Sequence, residues 1–216
     1  LGPAARNDPT GTMLGRDDIV RLHGGLSGDT ILVLDGAYAE YCDPAHYPAG
    51  FDLVEAHDNV VTTRTFSKAY GLAALRLGWG YCPPEIVSVL NRLRGPFNRN
   101  QPALATGVAA LDDQAHIVAS RAHNTHWRDW LVQQLGGLGF SVRPSYANFI
   151  LLEFDSDARA SEAEAFLCAH GIIPRGLAAY GLPHALRLSI GTEEANRAAI
   201  ATLTAFMATL TMGQDQ

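Results

Sequence analysis

Two short apolar runs, each closed by a cluster of polar residues, limit how this chain can fold. Thr30-Ile31-Leu32-Val33-Leu34 shows no polar alternation, the pattern of a strand buried on both faces of a parallel sheet. It ends in Asp35-Gly36-Ala37-Tyr38. Val60 to Thr65 predicts a second strand ending at Ser67-Lys68, and Leu77-Gly78-Trp79-Gly80-Tyr81 predicts a third. Open α/β sheets place ligands beyond their strand ends, so these clusters are where chemistry is expected.

The rest of the chain alternates helix and strand signals. Pro83-Pro84 opens a helix with Ile86, Val87, Val89, Leu90 and Leu93 on one face and Ser88, Asn91, Arg92 and Arg94 opposite. Gly95-Pro96-Phe97-Asn98 breaks it, and Pro102 starts another helix through Leu104, Val108 and Leu111. Asp112-Asp113-Gln114 is the expected boundary between two domains, 1–114 and 115–216. Beyond it the pattern predicts a helix from His116 to Leu135 and strands at Phe140–Val142 and Phe149–Leu152. A helix at Ala160–Ala169 and a strand at Leu186–Ile190 follow. A last helix starts at Thr192-Glu193-Glu194 and turns Ile200, Leu203, Phe206 and Leu210 inward. The expected class is α/β in the first part and a small α+β domain in the second.

Charge and cysteine usage narrow the function. With a net charge of −6 and no basic tract, nucleic acid and anionic membranes are not expected partners. No uninterrupted apolar run is long enough for a membrane span. Cys42, Cys82 and Cys168 are widely spaced and form neither a metal pattern nor an even disulfide set, which fits a reducing compartment. The opening Leu1-Gly2-Pro3 lacks an initiator methionine and reads as a cut within a larger protein.

One residue stands out against this background. Lys68 is the single lysine, against fifteen arginines. Arginine replaces lysine as a surface cation but not as a nucleophilic amine, because guanidinium stays protonated. The alternative is an arginine-biased composition with one lysine left over. Asp35 at one strand end, Lys68 at the next and Arg76 eight residues further on together suit pyridoxal phosphate. The lysine would form a Schiff base with the cofactor aldehyde. The acid would keep the pyridine nitrogen protonated. The arginine, with the hydroxyls of Thr65 and Ser67, would hold the phosphate. Taken singly, Asp35 is more often a turn residue and Arg76 a solvated cation, and Thr65 and Ser67 could be caps of a following helix.

Asp8-Pro9-Thr10-Gly11, Asp35-Gly36-Ala37-Tyr38 and Thr65-Phe66-Ser67-Lys68 with Arg76 resemble, in order and spacing, the class I/II aminotransferases of fold type I. The stretches Leu34–Tyr41, Arg64–Ala73 and Leu186–Thr192 look most like the histidinol-phosphate aminotransferase branch. The whole chain resembles the carboxy-terminal part of that family: the late strands of a mostly parallel large-domain sheet, then the small domain. The resemblance implies a pyridoxal-phosphate aminotransferase that exchanges an amino group between glutamate and imidazole-acetol phosphate in histidine biosynthesis. It also implies a cytoplasmic homodimer acting on a small-molecule amino donor and a 2-oxo acid. An aromatic amino-acid aminotransferase, a related decarboxylase, or a catalytically incomplete fragment retaining only the fold are the rival readings.

By that resemblance Lys68 is the Schiff-base lysine and proton shuttle, Asp35 the pyridinium partner, and Tyr38 a hydrogen-bond donor to the cofactor phenolate. Thr65, Ser67 and Arg76 bind phosphate, and Arg187 clamps the substrate carboxylate. Arg187 alternates with Leu186 and Leu188 on its strand, which leaves a solvated sheet face as its other reading. Asn148 would face substrate or serve a turn. Asp8, preceded by Asn7, stands where the family usually has asparagine; an ionised carboxylate cannot donate to a phenolate. Asp8 is therefore protonated, turned away, or part of a differently tuned site. The family's glycine/serine phosphate loop and ring-stacking aromatic have no counterpart here, so these residues alone are expected to be inactive. His123 and His126 fall one turn apart with no third metal ligand, Trp127 and Trp130 read as packing, and Arg197 as a solvent-facing helix residue or a second anion contact.

Overall fold

The structure is a computed structural model and describes residues 8–43 and 50–212; Asn7 lies outside them. The described residues form two compact units. The first runs from Met13 to Ala122. The second joins Asp8–Thr12 to the chain from His123 onward. The division thus falls inside a long helix rather than at the Asp112-Asp113-Gln114 turn. The short segment joins the second unit through backbone pairing: Gly11 (φ +75°) accepts a hydrogen bond from the Tyr146 N–H at 2.9 Å.

In the first unit, α1 (Arg16–Gly24), β1 (Leu32–Asp35), α2 (Phe51–Ala56), β2 (Val60–Thr65) and β3 (Gly78–Tyr81) precede α3 (Pro84–Leu93) and α4 (Gln101–Asp112). The leading part of α5 (Gln114–Gly137) completes it. β1 and β2 are parallel, with Leu32 opposite Val60 and Asp35 opposite Thr63. β3 runs antiparallel to β2 and sets Trp79 opposite Arg64. Ile19, Leu32, Leu34, Leu53, Val54 and Val60 form a buried cluster around β1.

Three expectations need correction in this unit. β1 is not buried on both faces: Leu32 and Leu34 are buried, but Ile31 and Val33 are 53% and 43% exposed, because the packing cluster lies on the side of the strand that carries Leu32 and Leu34. The apolar face of α3 is likewise exposed at Val87, Val89, Leu90 and Leu93. In α4 the buried residues are Ala103 and Gly107, whereas Leu104, Val108 and Leu111 point outward. Small residues face inward there because Gly107 approaches Leu77 too closely for a side chain of its own. Asn100 caps α4 by accepting from the Ala103 N–H.

The second unit is built on an antiparallel sheet of β4 (Phe149–Glu153), β6 (Ala185–Ser189) and β5 (Arg175–Gly176), in that spatial order. α6 (Asp157–Ala169), α7 (Glu193–Met212) and the later part of α5 cover one face. Ile150, Leu152, Leu186 and Leu188 meet Leu131, Leu135, Leu167, Leu203 and Phe206 there. Ser156 caps α6 and Thr192 caps α7, each accepting from a backbone N–H three residues on. The expected strand at Phe140–Val142 is reduced to one bridge, Val142 to Leu152. Pro144 follows closely and has no N–H with which to continue the ladder.

A buried arginine near the end of β2 packs against the turn that follows β1. Arg64 donates to Thr62 Oγ1 at 3.0 Å and to the Thr63 carbonyl at 2.9 Å, and its guanidinium lies over the Phe51 and Trp79 rings. Gly36 packs directly on it: a Cβ there would collide with the guanidinium and sit 2.8 Å from the Thr63 carbonyl oxygen. Gly36→Ala should therefore destabilise the protein by about 1–3 kcal/mol, read from the denaturant midpoint at unchanged slope.

Candidate active site

The parallel register brings the ends of β1 and β2 side by side. The Gly36 N–H donates to the Thr63 carbonyl at 3.0 Å, and the Ala39 N–H closes the next turn on the Gly36 carbonyl. Asp35 Oδ1 accepts from the Ala37 N–H at 3.1 Å and from the Thr63 hydroxyl at 3.3 Å. These bonds orient an exposed carboxylate, while Tyr38, three residues on, is buried.

Lys68 sits in a tight loop after β2. The Phe66 N–H donates to the Leu77 carbonyl, the Leu72 N–H to Phe66, and the Gly71 N–H to the Lys68 carbonyl, all at 2.9–3.1 Å. Gly71 adopts φ +71°, which closes the loop without steric cost. His116 Nε2 lies 3.0 Å from the Ala69 carbonyl and ties the loop to α5. Lys68 Nζ stands 5.0 Å from the centre of the Tyr38 ring, within cation–π range.

Beside it, Thr65 Oγ1 accepts from the Ser67 N–H at 3.1 Å, a local side-chain turn. No α-helix follows Ser67; a 3-10 turn at Ala73–Leu75 comes instead, so the helix-cap reading of Thr65 and Ser67 does not hold. Arg76 follows that turn with φ 52° and ψ 48°, a left-handed conformation costing a residue with a Cβ about 1–2 kcal/mol. Its Nη1 donates to Ser67 Oγ at 3.3 Å and to the Ala73 carbonyl at 2.8 Å. A strained backbone thus turns one guanidinium onto a hydroxyl, with a second hydroxyl beside it, an arrangement suited to an anion such as phosphate.

Sequence reading assigned no role to the layer behind this site. Arg64 Nε lies 4.0 Å from Glu40 Oε1, the arginine buried and the glutamate partly so, and Arg121 donates to the Glu40 carbonyl at 2.9 Å. Burial raises the Tyr70 phenol above its ordinary value, with the Glu40 charge adding and Arg64 opposing; Tyr70 is therefore a neutral phenol at physiological pH. A charged residue inside a strand was the available signal, since a buried arginine needs a partner.

The second unit holds the remaining candidates. Arg187 lies opposite Leu151 on the sheet face away from the helices, its guanidinium 4.8 Å from the Phe149 ring centre. Nη1 donates to Asp8 Oδ1 at 2.6 Å. Arg187 Nε is buried with no hydrogen-bond partner among the described residues, a state that costs about 1–3 kcal/mol if nothing satisfies it. The side chain is 16% exposed, which removes the solvated-face alternative. Asp8 faces this arginine. The Asn148 carbonyl accepts from the Ile190 N–H at 2.9 Å, and the residue is half-buried at the start of β4. Arg197 stacks over Trp127 and Trp130 and pairs with Glu193 at 2.8 Å. His123 lies 2.9 Å from the Gly191 carbonyl, and no group of three metal-ligating side chains occurs among the described residues.

Arg76→Gly separates the two roles of that residue. It removes the left-handed strain along with the guanidinium, so stability should change by less than about 1 kcal/mol while phosphate affinity falls at least about tenfold. Denaturant unfolding and a phosphate titration of the complete protein check the two halves.

Comparison with known proteins agrees with this geometry. Residues 5–203 match the family model for aminotransferase class I and II. Over 204 residues the chain is 50% identical to a histidinol-phosphate aminotransferase of Rhodopseudomonas palustris, covering 94% of this chain and 56% of that protein. It is 50% identical over 202 residues to histidinol-phosphate aminotransferase 1 of Caulobacter vibrioides, again spanning 56% of the relative. The crystal structure of the Sinorhizobium meliloti histidinol-phosphate aminotransferase in complex with pyridoxal-5'-phosphate superposes with a TM-score of 0.86 at 28% identity, covering 94% of this chain and 55% of that one. The chain spans about half the length of the curated relatives it matches, and it belongs to the class I and II aminotransferase family.

Proposed function

We propose that the protein carrying this chain is a pyridoxal-phosphate-dependent aminotransferase that interconverts histidinol phosphate and imidazole-acetol phosphate, with glutamate and 2-oxoglutarate as the other pair, in histidine biosynthesis. The observation that carries the reading is the convergence of Lys68, Asp35, Thr65, Ser67 and Arg76 at the ends of two adjacent parallel strands. The histidinol-phosphate branch is supported by the relatives at 50% identity.

The residues present fit the cofactor. Asp35 offers a carboxylate held by two donors, suited to a protonated ring nitrogen. Arg76, Ser67 and Thr65 offer one cation and two hydroxyls for a phosphate. When bound, pyridoxal phosphate supplies an aldehyde to hold the amino group and a ring to accept electrons. Lys68 Nζ would be the amine that holds the cofactor and the base that carries a proton at the substrate α-carbon. Asp35 would pair with the ring nitrogen, and Tyr38 would donate to the ring oxygen. Arg187 would bind the anionic group of the substrate, and Asn148, whose carbonyl accepts from the Ile190 N–H, is proposed to lie near it.

A homodimer is the proposed assembly. Leu93, Phe97 and Val108 in the α3–α4 region are 76%, 99% and 64% exposed, the kind of apolar surface that a partner covers. No helix among the described residues is long and apolar enough to cross a membrane, and a cytoplasmic location is proposed with the function.

The test is a steady-state comparison of histidinol phosphate with phenylalanine as amino donors for the complete protein. We expect kcat/KM to favour histidinol phosphate by at least about a hundredfold; equal or greater turnover of phenylalanine would replace this reading with an aromatic aminotransferase. In the same assay Asp35→Asn should lower kcat by about a hundredfold or more, because the loss falls on the transition state.

A further inference from the structure

Asp8 and Arg187 lie 179 positions apart in sequence and meet in one ion pair of 2.6 Å. The pairing is built into the second unit. Gly11 fixes the short segment against Tyr146, and its Cα lies so close to Ser145 that a side chain at this position would collide. Ser145 is itself buried and donates to the Phe149 carbonyl. The guanidinium rests over the Phe149 ring, with Nη1 on Asp8 and Nε buried without a hydrogen-bond partner among the described residues. Asp8 is the more accessible member, 39% exposed against 16% for the arginine.

A guanidinium that already carries a carboxylate binds a second anion less well, since the two anions repel each other and share one set of donors. We propose that Asp8 is the affinity-setting residue of the Arg187 anion site. Its carboxylate holds the arginine in register when no substrate is bound and competes with the incoming oxyanion, so the substrate's carboxylate or phosphate monoester binds by exchange. The inference rests on Arg187 being the substrate's anion contact and deepens the proposed function. An asparagine at this position would keep a hydrogen-bond acceptor for Arg187 but no charge, so the difference between Asp8 and Asn isolates competition from positioning.

The test measures binding rather than turnover. The complete protein, loaded with pyridoxal phosphate, is titrated calorimetrically with glutarate and with methyl phosphate. Asp8→Asn should tighten binding of the oxyanion that Arg187 accepts by on the order of fivefold, the difference between losing a charged and a neutral partner. Tightening for glutarate alone assigns a carboxylate, tightening for methyl phosphate alone assigns a phosphate monoester, and either supports the proposal. In an Arg187→Ala background the Asp8→Asn effect should vanish. Unchanged or weaker binding of both probes in Asp8→Asn would overturn it, as would tightening that persists without Arg187. Asp8→Ser carries the same expectation if Asp8→Asn fails to fold. Failure of the transamination assay with this binding pattern intact would count against the reaction and not against the anion site.

Discussion

The chemistry of the first unit depends on one constraint: β1 and β2 run parallel with Asp35 opposite Thr63. Parallel pairing sends both chains out of the sheet at the same edge, so the two turns that follow emerge beside each other. A shift of one residue would turn Asp35 to the other sheet face and break its bond to the Thr63 hydroxyl. The Gly36 N–H to Thr63 carbonyl bond and the packing of Gly36 on Arg64 hold that register. Arg64 is kept in place by Thr62, the Thr63 carbonyl, two aromatic rings and the nearby Glu40 carboxylate. The catalytic-looking residues in front thus rest on a buried charged layer behind them.

The site is also arranged so that different residues carry different costs. Gly71 takes a positive φ freely, whereas Arg76 takes one at a cost. The loop could have placed a glycine at both positions. An arginine in the strained one marks the side chain, rather than the backbone, as what the position serves. The second unit shows the same pattern in electrostatic form: a largely buried arginine, with one donor unsatisfied among the described residues, is paired with a more exposed aspartate.

The positions of Asp35 and Lys68 beyond strand ends, and the alternation of Arg187 with Leu186 and Leu188, were legible because each rests on local pattern. Apolar runs end where ligands gather, and a period of two places Arg187 on its face. Other features were not legible, for physical reasons. The uncovered face of β1 depends on what packs against Ile31 and Val33, which a run of apolar residues cannot specify. The outward-facing Leu104 and Val108 follow from Gly107 meeting Leu77, a tertiary contact that favours small residues at the interface. The Asp8–Arg187 pair joins residues too far apart for any spacing rule, although the substitution of Asp for the family's usual Asn had singled Asp8 out. The expected strand at Phe140–Val142 failed because apolar composition outweighed the nearby Pro144 in that reading.

The account turns on Lys68 as the covalent attachment point for the cofactor. Borohydride reduction of the complete protein in the presence of pyridoxal phosphate, followed by peptide mapping, measures this directly. The account predicts one phosphopyridoxyl label, on the peptide carrying Thr65-Phe66-Ser67-Lys68. A label on a peptide without Lys68, or no label at all, would contradict it.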